Sequence, residues 1–330
     1  MTTASTNLHY WVNWRFLLCA IWIFSSMVFA AFLIWKCEGS RSDQDGSETE
    51  ECKGTLYEDD CWRPCLKEIH PAWLLVFRVT AFCLLLALLI INLGIDGGGI
   101  LFYYTQWTFV LVTIYFGLGS CLSIYGCYQL LDKDGDYTVD HVRVDAEQGT
   151  YVAPTADGNM NSVRHFISPG FREERYVHRL AGLWVYVFQV IYQTNAGAVV
   201  LTDCVFWLVI VPFLALEDYK LSVINIGMHS VNIVFLLGDT VLNRLRFPWF
   251  RISYFLLWTA IYVIFQWIIH ACVSLWWPYP FLDLSSSFAP LWYVAVGLMH
   301  LPCYAVFFLI IKMKYYLLLT WFPDSYQLSK

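Results

Sequence analysis

Residues 72–93 read AWLLVFRVTAFCLLLALLIINL. These 22 positions hold one charge, Arg78, and are otherwise almost wholly apolar. Coiled as an α-helix, such a run is about 33 Å long, enough to cross a ~30 Å hydrocarbon core. Six further runs of this kind lie near Phe16–Trp35, Ile100–Cys127, Val190–Leu216, Leu221–Leu242, Phe250–Cys272 and Phe288–Ile311. The expected fold is therefore all-α, a polytopic transmembrane helical bundle of about seven spans. The fourth run is the weakest, because Gln193-Thr194-Asn195 interrupts it, and six and eight spans are the competing counts.

Composition points the same way. Apolar residues make up 58% of the 330 and charged residues 14%, against about a quarter charged in soluble domains. Mean hydropathy is +0.54. Phe, Trp and Tyr reach 18%, which suits rings at two membrane interfaces. The net charge of −6 comes with no basic run, so nucleic acid is excluded as a partner. The apolar run after Trp14 lacks a small-residue cleavage site and reads as a span, not a leader.

The chain divides into a first span with an acidic, cysteine-containing loop (1–71), spans two and three (72–127), a polar loop (128–189), four further spans (190–312) and a tail (313–330). With seven spans, 17 of the 20 Lys and Arg fall on one side, which is read as cytosolic. Arg244, Arg246 and Arg251 are the cleanest vote, having no acid among them. The N-terminus is then lumenal or extracellular and the C-terminus cytosolic. Asp132 to Asp136 resembles a calcium loop, but Arg143 stands where the bidentate glutamate belongs, so a solvated acidic turn is expected. Cys37, Cys52, Cys61 and Cys65 lack paired zinc spacing; in a cytosolic loop they stay reduced, and oxidised pairs would reverse the orientation. Gly97-Gly98-Gly99 reads as a tight connection between antiparallel helices. No cofactor motif stands out, and none is expected.

Polar side chains inside spans carry the functional signal, because hydrocarbon makes each of them costly. Asn225, His229 and Asn232 stand at i, i+4 and i+7 on one helix face, and Asp239 continues the stripe. Thr105 and Thr108 share a face of span three, Asn195 and Asp203 align on span four, and His300 lies in span seven. Thr105 enters roughly 8 Å from the lumenal side, His229 roughly 12 Å and His300 roughly 17 Å. Thr105 and His229 are thus expected at a common depth. Against this stands the plain reading: membrane Thr hydroxyls usually bond back to the i−4 carbonyl, and polar pairs often serve as helix–helix glue.

The stretch Phe102-Tyr103-Tyr104-Thr105-Gln106-Trp107-Thr108-Phe109 resembles a helix of the rolling-stone family and, more distantly, the threonine helix of the androgen-induced family of membrane lipid hydrolases. Asn225-Ile226-Gly227-Met228-His229-Ser230-Val231-Asn232 resembles the histidine helix of both, and Trp276-Trp277-Pro278-Tyr279-Pro280 resembles their aromatic loop before the last span. The similarity runs in order from about Pro71 to Lys314; the first span and its loop resemble additions in related plant membrane proteins. The hydrolase resemblance implies cleavage of hydroxy-fatty-acid esters by a threonine nucleophile and a histidine base, which map to Thr105 and His229. Gln106 and Trp107 depart from that family's more apolar pattern, and the rolling-stone branch implies a part in cell fusion.

The expected chemistry is therefore a membrane lipid esterase. Thr105 attacks, His229 takes its proton, and Asn225, Asn232, Thr108 and His300 support the pocket. The partners expected are membrane lipids and an acyl ester. A non-catalytic receptor, adaptor or scaffold is the first rival. A transporter using Asp203, Asp239, His229 and His300 is the second, without an inverted repeat in its favour.

Overall fold

The computed structural model describes residues 5–38, 57–147, 182–211 and 223–326, with the side chains of 133–147, 209–210 and 223–225 left aside. Among the described residues seven α-helices have 20 residues or more: α1 Trp14–Glu38, α2 Pro71–Asp96, α3 Tyr104–Glu147, α4 Leu183–Val205, α5 Val223–Leu242, α6 Ile252–Cys272 and α7 Ala289–Trp321. None of those residues forms a named strand; there are two isolated β-bridges.

Local chemistry sets the helix ends. Pro71 occupies the first turn of α2, where its missing N–H is no loss, and His70 Nδ1 accepts from the Ala72 amide at 3.2 Å. Gly97, at φ 68°, ends α2 with its amide on the Leu93 carbonyl. Only glycine enters that left-handed region without strain. A 3₁₀ turn, Gly97–Phe102, then leads directly into α3, so the glycine run is the tight connection it was read to be.

Long-range contacts sort the helix ends into two layers. At one, the N-terminal end, Tyr10 donates to Asp283 at 2.7 Å and Tyr262 donates to the Phe102 carbonyl at 2.7 Å. At the opposite end, Arg251 reaches Glu38 at 2.9 Å, Arg244 reaches Asp59 at 2.6 Å, and the Lys67 amide bonds to the Ser325 carbonyl. Each of the seven helices begins at one layer and heads toward the other, so consecutive helices are antiparallel.

Five helices are long and apolar enough to cross a membrane: Trp14–Glu38, Pro71–Phe102, Tyr104–Asp132, Trp249–Cys272 and Ala289–Trp321. This is the build of an integral, multi-pass membrane protein. Their outer faces carry large exposed apolar side chains such as Val28, Trp35, Trp73, Ile90 and Leu309. The other two helices differ for physical reasons. In α4 every residue from Tyr192 to Asp203 is buried, so its Gln, Thr, Asn and Asp face protein instead of acyl chains. The helix α5 spans 20 residues, Val223–Leu242, of which Ile226–Leu242 is the described apolar part.

Three expected boundaries move. Residues 128–147, read as the start of a polar loop, continue α3 as helix, and Asp132 to Asp136 lies within it. The segment contains no proline, and polarity alone does not end a helix that has left the bilayer. Likewise, residues 313–321 of the expected tail extend α7, where Lys314 is buried and donates to the Asn243 carbonyl. At the other end of the expected loop, Gly182 and residues 183–189 form the cap and first turns of α4, and 148–181 lie outside the described residues.

Cys61 and Cys65 are buried thiols, donating to the Glu58 and Val241 carbonyls at 3.0 and 3.2 Å. Burial pushes the Cys61 thiol up to about 12 and raises Cys65 as well. Cys52 lies outside the described residues.

Candidate functional site

Near the N-terminal end, α3, α4 and α5 enclose a polar patch built around His229. Its ring stacks on Phe206, with centroids 3.7 Å apart and planes 6° from parallel. Its Nδ1 lies 3.6 Å from Asp203 Oδ1, within ion-pair range but too long for a hydrogen bond. Nε2 has no protein hydrogen-bond partner among the described residues. Asn232, one turn along α5, faces the same carboxylate. Phe206 opens a π-helical stretch, Phe206–Ile210, and such wide turns recur at functional sites.

The patch is short of partners. Both Asp203 oxygens, His229 Nδ1, Asn232 Nδ2, Gln106 Oε1 and Asn195 Oδ1 are buried without a hydrogen bond among the described residues. Native interiors leave few such atoms, so several together ask for a ligand or water.

Thr105 stands level with His229. Gln106 Nε2 lies 3.6 Å from Met228 Sδ, which sets α3 and α5 side by side one residue before His229 and one after Thr105. The azimuth differs. Successive helical residues point about 100° apart, so with Gln106 and Met228 meeting, their neighbours turn aside. Thr105 faces the Tyr279 hydroxyl in the loop after α6, and His229 faces Asp203 on α4. The two are not hydrogen bonded to each other. Burial raises the Tyr279 phenol, opposed by the Thr105 side chain and nearby backbone.

The remaining expected residues have other settings. Thr108 is fully buried and bonds back to the Tyr104 carbonyl at 3.1 Å, the plain structural use of a membrane threonine. The Asn225 side chain lies outside the described residues. His300 belongs to a separate cluster. Its Nδ1 meets the Val296 carbonyl at 2.9 Å, and its Nε2 meets Thr259 Oγ1 at 2.8 Å. A carbonyl can only accept, so in the neutral ring Nδ1 holds the proton and Nε2 accepts from Thr259. Tyr104 hydroxyl, 2.8 Å from the same Oγ1, completes a chain across three helices. Thr259 and His300 also line a cavity of about 70 Å³ among α1, α6 and α7, walled by Trp22, Ile23 and Val263.

Toward the opposite end lies a fully bonded group. Arg78 Nε donates to Asp239 Oδ1 at 2.7 Å, and Nη1 donates to the Cys61 carbonyl and Ser123 Oγ at 2.6 and 2.8 Å. Asp239 also accepts from Tyr115 and Asn243. Asp239 continues the His229 stripe as read from spacing, but its partner Arg78 is 161 residues away and no spacing rule links them. Thr259 went unremarked, although the same rule of polar groups within spans would have singled it out.

No protein-family model, curated protein or solved structure matches this chain. What fold and site together define is a class, a helical multi-pass membrane protein with an underbonded His–Asp patch inside its bundle.

Proposed function

We propose that the chain crosses the bilayer seven times, N-terminus lumenal or extracellular, and hydrolyses acyl esters taken from the leaflet at its N-terminal end. His229 is the general base, Asp203 sits behind it and Thr105 is the nucleophile. The observation that carries this reading is the His229 ring itself: Nδ1 backed by a carboxylate, its plane fixed on Phe206, and Nε2 left for a reacting hydroxyl. The alternation of all seven helices between two end layers supports the span count. The resemblance of residues 102–109 and 225–232 to the threonine and histidine helices of membrane lipid hydrolases supports the substrate class.

In the reaction Thr105 Oγ1 attacks the ester carbonyl while His229 Nε2 takes its proton. The Asn232 amide, unpartnered in the structure, donates to the developing oxyanion. His229 then returns the proton to the departing alcohol, and water releases the acyl group by the reverse sequence. Attack requires Thr105 to exchange Tyr279 for the imidazole; such contacts commonly tighten only with substrate bound.

A second reading keeps the activity and moves the pair. Thr259 and His300 are already hydrogen bonded on the wall of a cavity. Turnover of long-chain acyl esters by the purified chain decides. Thr105→Ala and His229→Ala are expected to lower it about 100-fold or more. A loss confined to Thr259→Val and His300→Ala moves the site to the second pair. Equal turnover in all variants removes the hydrolase reading and leaves a receptor, adaptor or scaffold.

A further inference from the structure

The buried face of α5 carries polar residues at intervals along its length, with Met228 and Leu236 between them, and its outer face is apolar. His229, Asn232, Asp239, Thr240 and Asn243 are buried, whereas Val234 and Val241 are 63% and 62% exposed. Neighbouring helices continue this seam at matching levels. Tyr192 of α4 meets Thr240, and Tyr115 of α3 meets Asp239. Asn195, three residues from Tyr192 and fully buried, falls at the level between Asn232 and Asp239. Polar groups therefore run from His229 near the N-terminal end down to the Arg78–Asp239 pair.

The two halves of the seam are bonded differently. In the lower half every polar atom of Arg78 and Asp239 has a partner, with four residues closing around the pair. In the upper half unpartnered buried atoms follow one another: Gln106 Oε1, both Asp203 oxygens, His229 Nδ1, Asn232 Nδ2 and Asn195 Oδ1. Oxygen acceptors outnumber donors among them. Acceptors in a low-dielectric interior are satisfied by water or by a small hydrated cation. Spread along a helix direction over about 12 Å, as Asp203 and Asn195 are, they suit a file of waters better than a single ion.

We propose that the upper seam is a proton half-channel. A file of water enters past His229 from the N-terminal end and stops at the Arg78–Asp239 ion pair, whose polar atoms are all bonded to protein and leave none for a further water. An excess proton moves along such a file by passing from water to water, with Asp203 and His229 as acceptors at its mouth. No bond other than O–H and N–H is made or broken, and the charge stays on the file. This inference is independent of ester hydrolysis and needs only the seam.

The first test uses the unmodified chain. Pulsed hydroxyl-radical footprinting labels side chains beside bound water, and the Met228 thioether is a reactive target. Met228 and Phe109 are both buried in the same apolar core, but Met228 also lies against the Gln106 amide. Oxidation of Met228 with none at Phe109 is expected. The second test uses liposomes with an internal pH dye under a potassium diffusion potential. The wild type is expected to be proton-tight, and the doubly neutralised Arg78→Gln/Asp239→Asn chain to leak about tenfold faster. Adding Asp203→Asn and Asn232→Leu is expected to close it again. Met228 unlabelled in the wild type overturns the proposal, whether or not the double variant folds. So does a folded double variant as tight as wild type.

Discussion

Two buried carboxylates on neighbouring helices, Asp203 and Asp239, have opposite surroundings. Asp239 is fully buried and collects donors from Arg78, Tyr115 and Asn243. Asp203 has the His229 imidazole at 3.6 Å and the Asn232 amide facing it, with no hydrogen bond on either oxygen among the described residues. A charge in low dielectric is stable only when its lone pairs are met, so the first arrangement is a joint and the second a site. The same chain builds both on adjoining helices. A membrane bundle can therefore tie one ionisable group fully into the protein and leave another underbonded on the adjoining helix.

The largest expected effect comes from breaking the joint from one side. Arg78→Leu or Asp239→Leu alone leaves a buried charge without its partner, and a loss of about 3–5 kcal/mol is expected in thermal or denaturant unfolding in detergent. Replacing both, as Arg78→Met with Asp239→Leu, removes the charge along with its need and is expected to recover most of that loss. A double variant as unstable as either single one would show that the pair's other contacts, at Cys61, Ser123 and Tyr115, carry the stability instead.

The same operation on the upper patch should do the reverse. Asp203→Leu removes a carboxylate that no hydrogen bond supports, so unfolding is expected to be unchanged or to improve by about 1 kcal/mol, while ester turnover and proton-file behaviour are lost. If Asp203→Leu destabilised as strongly as Asp239→Leu, the two carboxylates would be equivalent and the contrast between joint and site would fall.

How much of this contrast the amino-acid order discloses depends on distance along the chain. Hydropathy marks seven apolar runs, five of which prove to be helices long and apolar enough to cross a membrane, because lipid contact acts on every residue of a run. Spacing places His229, Asn232 and Asp239 on one face, because helix periodicity is local. Depth follows from counting residues, and Thr105 and His229 do come level. Azimuth between helices does not follow from counting: it depends on which side chains interdigitate, here Gln106 against Met228, and that contact turns Thr105 toward Tyr279. Pairings such as Arg78 with Asp239 or Thr259 with His300 are legible only as unplaced polar groups, since each half could be met by any facing helix. The extension of α3 through residue 147 was hidden for another reason: hydropathy reports where a helix leaves lipid, not where it ends.

A third carboxylate site grades between the other two. At the end opposite the N-terminus, Arg244 is shared by Asp59 at 2.6 Å and Asp60 at 2.8 Å. Arg244 serves both carboxylates, while Arg63 lies 3.6 Å from Asp59 and Arg246 also attracts Asp60. Burial lifts the Asp60 carboxyl above its ordinary range, with Arg244 pulling it down less strongly. A group whose folded value is raised holds its proton longer in the folded chain than in the unfolded one. Its contribution to stability is fully present below the unfolded carboxylate value of ~3.9 and is lost as pH rises through the raised folded value. Asn at this position cannot ionise and loses nothing over that window. The stability of Asp60→Asn relative to wild type should therefore climb with pH from about 4 and level off above the folded value, for a gain of a few °C in Tm. A relative fall over the same range would mean that attraction to Arg244 outweighs desolvation, which would place Asp60 with Asp239 as part of a joint.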